Sequence, residues 1–415
     1  MIALTYQYKL RPNQQQEAEI NQILDVCKSV YNYALRERKD WLSSRKSPIK
    51  SCSIISEYII PADTPYPSYN NQAKTLTIAK KTNPKLKSVN AQVLQQTLKT
   101  LDRAFSEMKS LGKGFPRFKK KLKSFVFPAM LKNCLGCTKV KLPQLGWIKI
   151  RQSRPYPEGM TAKQARIVKK ASGYYLMITF TSSESVPDNP VGKVSLGVDA
   201  GIENFVATST GKLIKSPKFL LSQLRELKLL QRRLKKKNKG SNNWLKLQNK
   251  IARLHEKIAN TRYDWHFKLA HQLCNLADNI FVEDINFKSW SRGIVRKQSN
   301  DSGIGQFINE ILPYICWSRG KYYAKVDKNY TSQECPKCGH RNKKKLSQRN
   351  HNCSNCGYQI NRDIAAAKVI RNRGLIAVGH AVKEKRTACA EVPERVKTEQ
   401  ESLWRWSDRG TTQFI

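Results

Sequence analysis

Nowhere in these 415 residues does an apolar run approach the ~20 positions needed to cross a bilayer, and no charged-then-apolar leader precedes a small-residue cleavage site. Both absences argue against a membrane role and lead us to expect the cytoplasm. Internal repeats are also missing. Acidic residues are scarce, 31 against 76 lysines and arginines, which leaves a formal net charge of +45. An excess of that size needs a polyanion. Nucleic acid fits best, because phosphate neutralisation with counterion release supplies affinity without regard to sequence. Histidine is rare, six residues in all, and His255, His266 and His271 share no ligand spacing, so each reads as a core or surface residue. The eleven cysteines read as metal ligands or small buried hydrophobes, since disulfides do not persist in a reducing compartment.

The length implies two to three domains. Residues 2 to 10, IALTYQYKL, alternate at period two as a half-buried strand. With Asn13 as N-cap, the spacing of Ile20, Ile23, Leu24, Cys27, Val30, Tyr31, Ala34 and Leu35 predicts a helix. Residues 42 to 89 are rich in Ser, Pro, Asn and Lys and read as loops or short elements. A second helix follows Asn90, with Leu94, Leu98, Leu101, Phe105 and Met108 on one stripe, and stops near Gly112 and Gly114. In FPRFKKKLKSFVF, residues 115 to 127, cations interleave with aromatics. That stretch suits either contact with phosphates and bases or an exposed strand with a charged outer face. Residues 137 to 182 are strand-rich and predict a small barrel or sheet. The polar, proline-containing stretch 181 to 193 reads as a linker.

Beyond it, VSLGVDAGIENFVATSTGKLIKSP predicts two or three short strands. Leu220, Leu224, Leu227, Leu230 and Leu234, then Trp244, Leu247, Ile251, Leu254 and Ile258, mark two helices of an antiparallel hairpin across KKKNKGSNN. Five apolar positions per arm fall short of a dimer zipper, so this hairpin reads as packing. A further helix through Phe267, Ala270, Leu273 and Leu276 leads into NIFVEDIN, a short apolar strand ending in acid. A helix at Phe307 to Cys316 and a strand at Tyr322 to Val326 precede the cysteine segment. Residues 374 to 415 show little periodicity and read as a flexible charged tail.

Two features carry chemistry. Asp199 and Glu283 each end an apolar strand of the kind buried at the centre of an α/β sheet, whose carboxyl ends are where such folds bind ligands. Either acid alone reads equally as a turn former or helix cap. With Asp363 they form three hard-oxygen donors from three elements, the minimum for two divalent ions about 4 Å apart that hydrolyse a phosphodiester. Asp284, beside Glu283, must point to the opposite face of its strand. The second feature is CPKC and CSNC. Cys335, Cys338, Cys353 and Cys356 stand in CxxC-x14-CxxC spacing, which predicts tetrahedral Zn²⁺ of a structural kind with no open position. A ribbon folded on that zinc would fix where NRD emerges and aim Asp363 at the other acids. Cys134 and Cys137, in CLGC, have no second pair and read as ordinary thiols.

GVDAGI, VEDI, YTSQECPKCG, CSNCG and RDIAAAKVI occur in the order found in the TnpB family of transposon-encoded, RNA-guided DNA endonucleases, relatives of type V CRISPR effector nucleases. The resemblance extends over nearly the whole chain, including YQYKLRPNQQQ, VYNYAL and FPRFKKK. It implies an α/β RNase H-like (RuvC) core with an inserted zinc ribbon, plus an N-terminal β-barrel (WED-like) carrying a helical (REC-like) insertion. The implied division is 1–190 for guide RNA and target DNA, 191–334 for the first part of the nuclease, 335–358 for the ribbon, 359–373 for the last nuclease helix and 374–415 for the tail. Catalytic roles for Asp199, Glu283 and Asp363 with two Mg²⁺ ions follow by position. So do a guide RNA from the transposon end, double-stranded target DNA as partner, a short motif beside the target, and a place at the nucleoid of a prokaryotic cell. The family commonly shows Asp-Arg-Asp-x-Asn-Ala where this chain has Asn361 and Ala365. That departure keeps two alternatives open, a silent RNA-guided DNA-binding repressor and a zinc-ribbon DNA-binding accessory protein of transposition.

Overall fold

Two sheets of opposite character organise the chain. The computed structural model describes residues 3–46, 60–61, 63–130, 133–183, 185–290, 295–344 and 348–379. The first sheet uses β1 (Ala3–Arg11), β2 (Ser124–Phe127), β3 (Lys139–Leu142), β4 (Gly146–Arg151), β5 (Thr161–Lys170) and β6 (Gly173–Thr181) in the order β2-β5-β6-β1-β4-β3, antiparallel throughout. Buried and open residues alternate along its strands, as in β6. Only one face is therefore apolar, and α1 (Gln14–Lys46) and α4 (Ala91–Leu111) share that core. Between these helices lie α2 (Tyr69–Thr82) and α3 (Pro84–Lys87).

Asn13 starts α1 through a reciprocal box with Gln16: the Asn13 side chain accepts from the Gln16 N–H at 2.8 Å, and Gln16 Oε1 accepts from the Asn13 N–H at 3.1 Å. Asn90 caps α4 and Gly112, at φ 61°, ends it. Three expectations need correction here. The fourteen residues of α2 occupy a stretch expected to hold loops or short elements. They pack Tyr69, Ala73 and Leu76 against the first core, and polar contacts add to this: buried Arg38 donates to Gln72 Oε1 at 3.0 Å and also pairs with Asp102. The expected barrel is an open sheet among the described residues, because its four-residue edge strands β2 and β3 pair inward only. Residues 115–123 form no strand; they run along α1, where Asn32 exchanges two hydrogen bonds with the Lys119 backbone.

The second sheet has the order β11-β10-β7-β8-β9, built from β7 (Ser195–Ala200), β8 (Asn204–Thr208), β9 (Leu213–Lys215), β10 (Asn279–Glu283) and β11 (Tyr322–Val326). Strands β7, β10 and β11 run parallel, and β8 and β9 complete an antiparallel meander. All five residues of β10 are buried, which requires helices on both faces. On one face lie α7 (Asn242–Leu276) and α11 (Leu312–Ser318); on the other lies α12 (Arg362–Ala377). Short α5 (Phe219–Ser222), α8 (Phe287–Trp290), α9 (Arg296–Ser302) and α10 (Ile304–Gln306) connect them, and a π-helical turn at Phe307–Ile311 enters α11.

The leucine hairpin is α6 (Leu224–Lys235) against α7, closed on Leu227, Leu230, Leu254 and Ile258. Its second arm does not stop near Ile258 as expected. Nothing between Ala259 and His266 breaks a helix, so α7 continues for 35 residues while its buried stripe passes from the hairpin's own core to that of the sheet. At the C-terminal side α12 extends to Ala377, past the expected end at 373, and residues 380–415 of the expected tail lie outside the described residues. Among the described residues no helix is long and apolar enough to cross a membrane.

Candidate metal centres

Strand period and register bring two of the acids together. In β7, Leu196, Val198 and Ala200 face α7 and α11, so Gly197 and Asp199 face α12. In β10, Ile280 and Val282 face α7, which turns Phe281 and Glu283 to the α12 side. Val282 lies opposite Val198 in the parallel ladder. Asp199 and Glu283 therefore follow a matched pair on adjacent strands and end on one face. Asp284 is exposed and pairs with Lys325 at 3.1 Å, leaving a single acid of the dipeptide directed inward.

Helix α12 delivers the third acid. Its first turns carry Ala365, Ala366 and Ala367, all buried, and small residues let it lie directly on the sheet. The approach is close enough that a Cβ on Gly197 would stand 1.9 Å from the Ala367 carbonyl oxygen, and one on Gly374 would stand 2.2 Å from the Phe281 ring. Asn361 caps the helix, its side chain accepting from the Asp363 and Ile364 N–H groups at 3.0 and 3.4 Å. Asn361 thus has a local structural task that an aspartate there would share. Asp363 accepts from Asn204 Nδ2 at 2.8 Å and lies 3.5 Å from the Arg362 guanidinium.

The electrostatics reflect this grouping. Burial, then the carboxylates of Glu283 and Asp363, push Asp199 well above the ordinary carboxylate range, and Arg362 partly offsets them. Burial also raises Glu283, while the Thr331 hydroxyl and the Arg373 and Lys328 cations pull it back. A polyvalent cation relieves such crowding. The three carboxylates do not bring one oxygen each within 4.8 Å of one another, and as hard-oxygen donors they are of the kind that divalent ions such as Mg²⁺ take.

Sequence reasoning missed the groups that orient the acids. Buried Thr331 donates its hydroxyl to Glu283 Oε1. Its loop is braced from α12, where Arg373 donates to the carbonyls of Asp327 and Asn329 at 2.9 and 2.8 Å and pairs with Glu334. Tyr330, with φ 62°, is the loop's one left-handed non-glycine residue. No spacing rule marks Thr331 or Asn204, because each meets its acid only through the tertiary fold.

The four cysteines converge. Among the described residues they alone group three or more metal-ligating side chains with donor atoms within 4.8 Å of each other. Sγ–Sγ distances across the two knuckles are 3.7 Å for Cys335–Cys356 and 3.5 Å for Cys338–Cys353, against a tetrahedral edge of about 3.8 Å for Zn–S bonds of about 2.3 Å. The knuckles repeat one geometry. Gly339 N–H returns to the Cys335 carbonyl and Gly357 N–H to the Cys353 carbonyl, with both glycines at positive φ. Four thiolates could hold zinc and leave no position for a substrate. The short strands β12 (Asn350–Asn352) and β13 (Gln359–Asn361) pair beside them, and β13 runs straight into α12. Asn372 and Lys368 of α12 reach back to Pro336 and Tyr358 of the two knuckles, and Arg349 pairs with Glu203 beside β7. His266 is core and His255 and His271 are exposed; Cys134 is buried and Cys137 exposed.

Comparison with solved structures places this architecture in the Cas12-like class. The chain matches a structure titled "Cryo-EM structure of the Cas12f1-sgRNA-target DNA complex" with a TM-score of 0.51 at 14% identity, covering 87% of this chain and 83% of that one; so low an identity bears on fold alone. Family models match at residues 179–292 ("Probable transposase"), 306–370 ("Cas12f1-like, TNB domain") and 1–47 ("Helix-turn-helix domain"), although the last segment folds here as β1 and one uninterrupted helix. The chain is 30% identical over 406 residues to the "Putative RNA-guided DNA endonuclease InsQ" of Escherichia coli K12, spanning 93% of this chain and 94% of that protein. It is 27% identical over 413 residues to a "Putative RNA-guided DNA endonuclease" of Streptomyces pristinaespiralis, 96% of each. The chain belongs to the TnpB family.

Proposed function

We propose that this chain is a transposon-encoded, RNA-guided DNA endonuclease that cuts target DNA beside a short adjacent motif. The observation that carries the reading is the gathering of Asp199, Glu283 and Asp363, from three separate elements, on one face at the carboxyl end of a sheet covered on both sides. Residues 191–334 and 359–373 are read as a RuvC or RNase H-like nuclease, 335–358 as its zinc ribbon, and 1–190 as a WED-like sheet with a REC-like helical insertion that holds guide RNA and reads the motif. Mg²⁺ ions bound at the acids would supply Lewis acidity for hydrolysis of the phosphodiester. The chain's own part is orientation: Thr331 fixes Glu283, and Asn204 and Arg362 fix Asp363. Sequence choice is delegated to base pairing with the guide, while the protein's cations hold backbone.

The test is expression with the flanking transposon DNA, sequencing of RNA that co-purifies, and incubation with matched plasmids carrying a library of adjacent sequences and Mg²⁺. Guided cutting that Asp199→Ala abolishes is the expected result. RNA bound without any cutting would make the chain a silent guided binder, and neither RNA nor cutting would make it an accessory DNA-binding protein.

A further inference from the structure

The hairpin of α6 and α7 was read from sequence as packing alone, yet its outer side holds a cleft of about 710 Å³. Arg233, Lys236, Lys237, Lys246, Lys250 and Arg253 line it, and the remainder is asparagine and one leucine, without a carboxylate. All six cations are exposed, and among the described residues none lies within 4.0 Å of an acid. Between Leu224 and Ile258 the sequence has only Glu226 and Glu256. Glu256 is already engaged, accepting from the Ser172 N–H at 3.0 Å and the Ser172 hydroxyl at 2.6 Å. Ser172 sits in the turn joining β5 to β6, so this contact docks the first sheet onto α7 beside the cleft, and Arg253 Nε adds a 3.4 Å bond to the Ala171 carbonyl.

Six like charges gathered in one cleft repel each other, and among the described residues no carboxylate offsets them, so the cleft attracts mobile counterions. A phosphodiester backbone would displace those ions with entropic gain. The cleft has no aromatic side chain and six cationic heads, which excludes a base-stacking platform and favours contact through phosphates. We propose that the α6–α7 cleft is a sequence-independent phosphate-binding site for a nucleic-acid backbone, set at the joint between the two sheets and apart from the acids that cut. It rests on the reading of the chain as a nucleic-acid enzyme. A backbone seated there would hold the hairpin, and with it the joint at Ser172, in one arrangement.

The experiment compares the full-length protein with a Lys236→Ala, Lys246→Ala, Lys250→Ala variant, whose substituted side chains make no ion pair among the described residues. Binding to a short duplex RNA and to the DNA duplex of the same sequence is titrated over a range of salt. Lysine acylation, read by mass spectrometry, is then mapped with and without each duplex. The expected result is a log–log salt slope shallower by about 2 to 3 in the variant, with Lys236, Lys246 and Lys250 protected in the wild type by whichever duplex occupies the cleft. Unchanged slopes on both duplexes and undiminished acylation at these lysines, in a wild type that binds, would overturn the cleft while leaving the functional reading standing. A wild type that binds neither duplex would overturn both.

Discussion

The two sheets solve the same folding problem under different constraints. The first buries one face against α1 and α4, and its strands alternate between core and solvent. The second is sealed on both faces, and its acids stand at strand and helix ends, where Thr331 holds Glu283 and Asn204 holds Asp363. One-sided burial leaves a sheet room for exposed cations and extended straps such as residues 115–123. Two-sided burial yields an edge at which Asp199, buried and crowded by the carboxylates of Glu283 and Asp363, is pushed well above the ordinary carboxylate range.

Substitution at Gly197 should break the contrast most strongly. Gly197→Val would drive a side chain into the α12 backbone, destabilising the second half by about 3 kcal/mol or more. Gly146→Ala in the first sheet meets nothing within 4 Å and is strained only by its φ of 66°. Hydrogen exchange resolved by peptide should show protection lost at β7 and β10 in the first variant and kept at β1 and β6 in both.

Acid should sharpen the comparison next. His266 is fully buried among Phe205, Trp265 and Phe307, with Nε2 against the Ser302 carbonyl at 2.9 Å. Burial holds its pKa down to about 4, against the hydrogen bond to Ser302 and with the help of Arg262. The unfolded histidine takes a proton near the ordinary value of about 6.5. The stabilising effect is therefore complete above that value and is lost as pH falls towards 4. From about pH 7 to about pH 5 the second half should lose about 2 kcal/mol on this account, and a His266→Phe variant should show a correspondingly smaller loss in denaturant titrations at the two pH values.

The smallest effect is expected at Thr331. Thr331→Val removes the hydroxyl that fixes Glu283 and leaves both folds intact. Guided cutting should fall by about 10- to 100-fold, the usual cost of losing a group that orients a metal ligand, with RNA retention unchanged. Cutting at the wild-type rate would show that Glu283 is positioned without it.

Much of this was legible in the sequence, where one local rule sufficed. Asn13 and Asn90 announced their helices, alternation set the faces of Asp199 and Glu283, and CxxC spacing located the cysteine cluster. Legibility failed where two distant segments set the outcome together. Helix α2 has a short apolar stripe, Tyr69, Ala73 and Leu76, and is anchored besides by Arg38 on buried Gln72, a pairing that no local pattern marks. Helix α7 seemed to stop because its buried stripe changes partner, although the chain within it does not bend. Nothing local marks Gly197 within its apolar strand, yet its missing side chain is the space into which α12 fits.

The place of α12 in the chain has a temporal meaning. A ribosome releases Asp199 and Glu283 well before Asp363, and the residues between Glu283 and Asp363 include all four cysteines. On the proposed reading, a nascent chain would carry most of its cationic surface before it had a complete set of acids. The third acid arrives only after the knuckles that steer it have been made. On that reading, zinc supply to those knuckles would set the moment at which a binding protein becomes a cutting one.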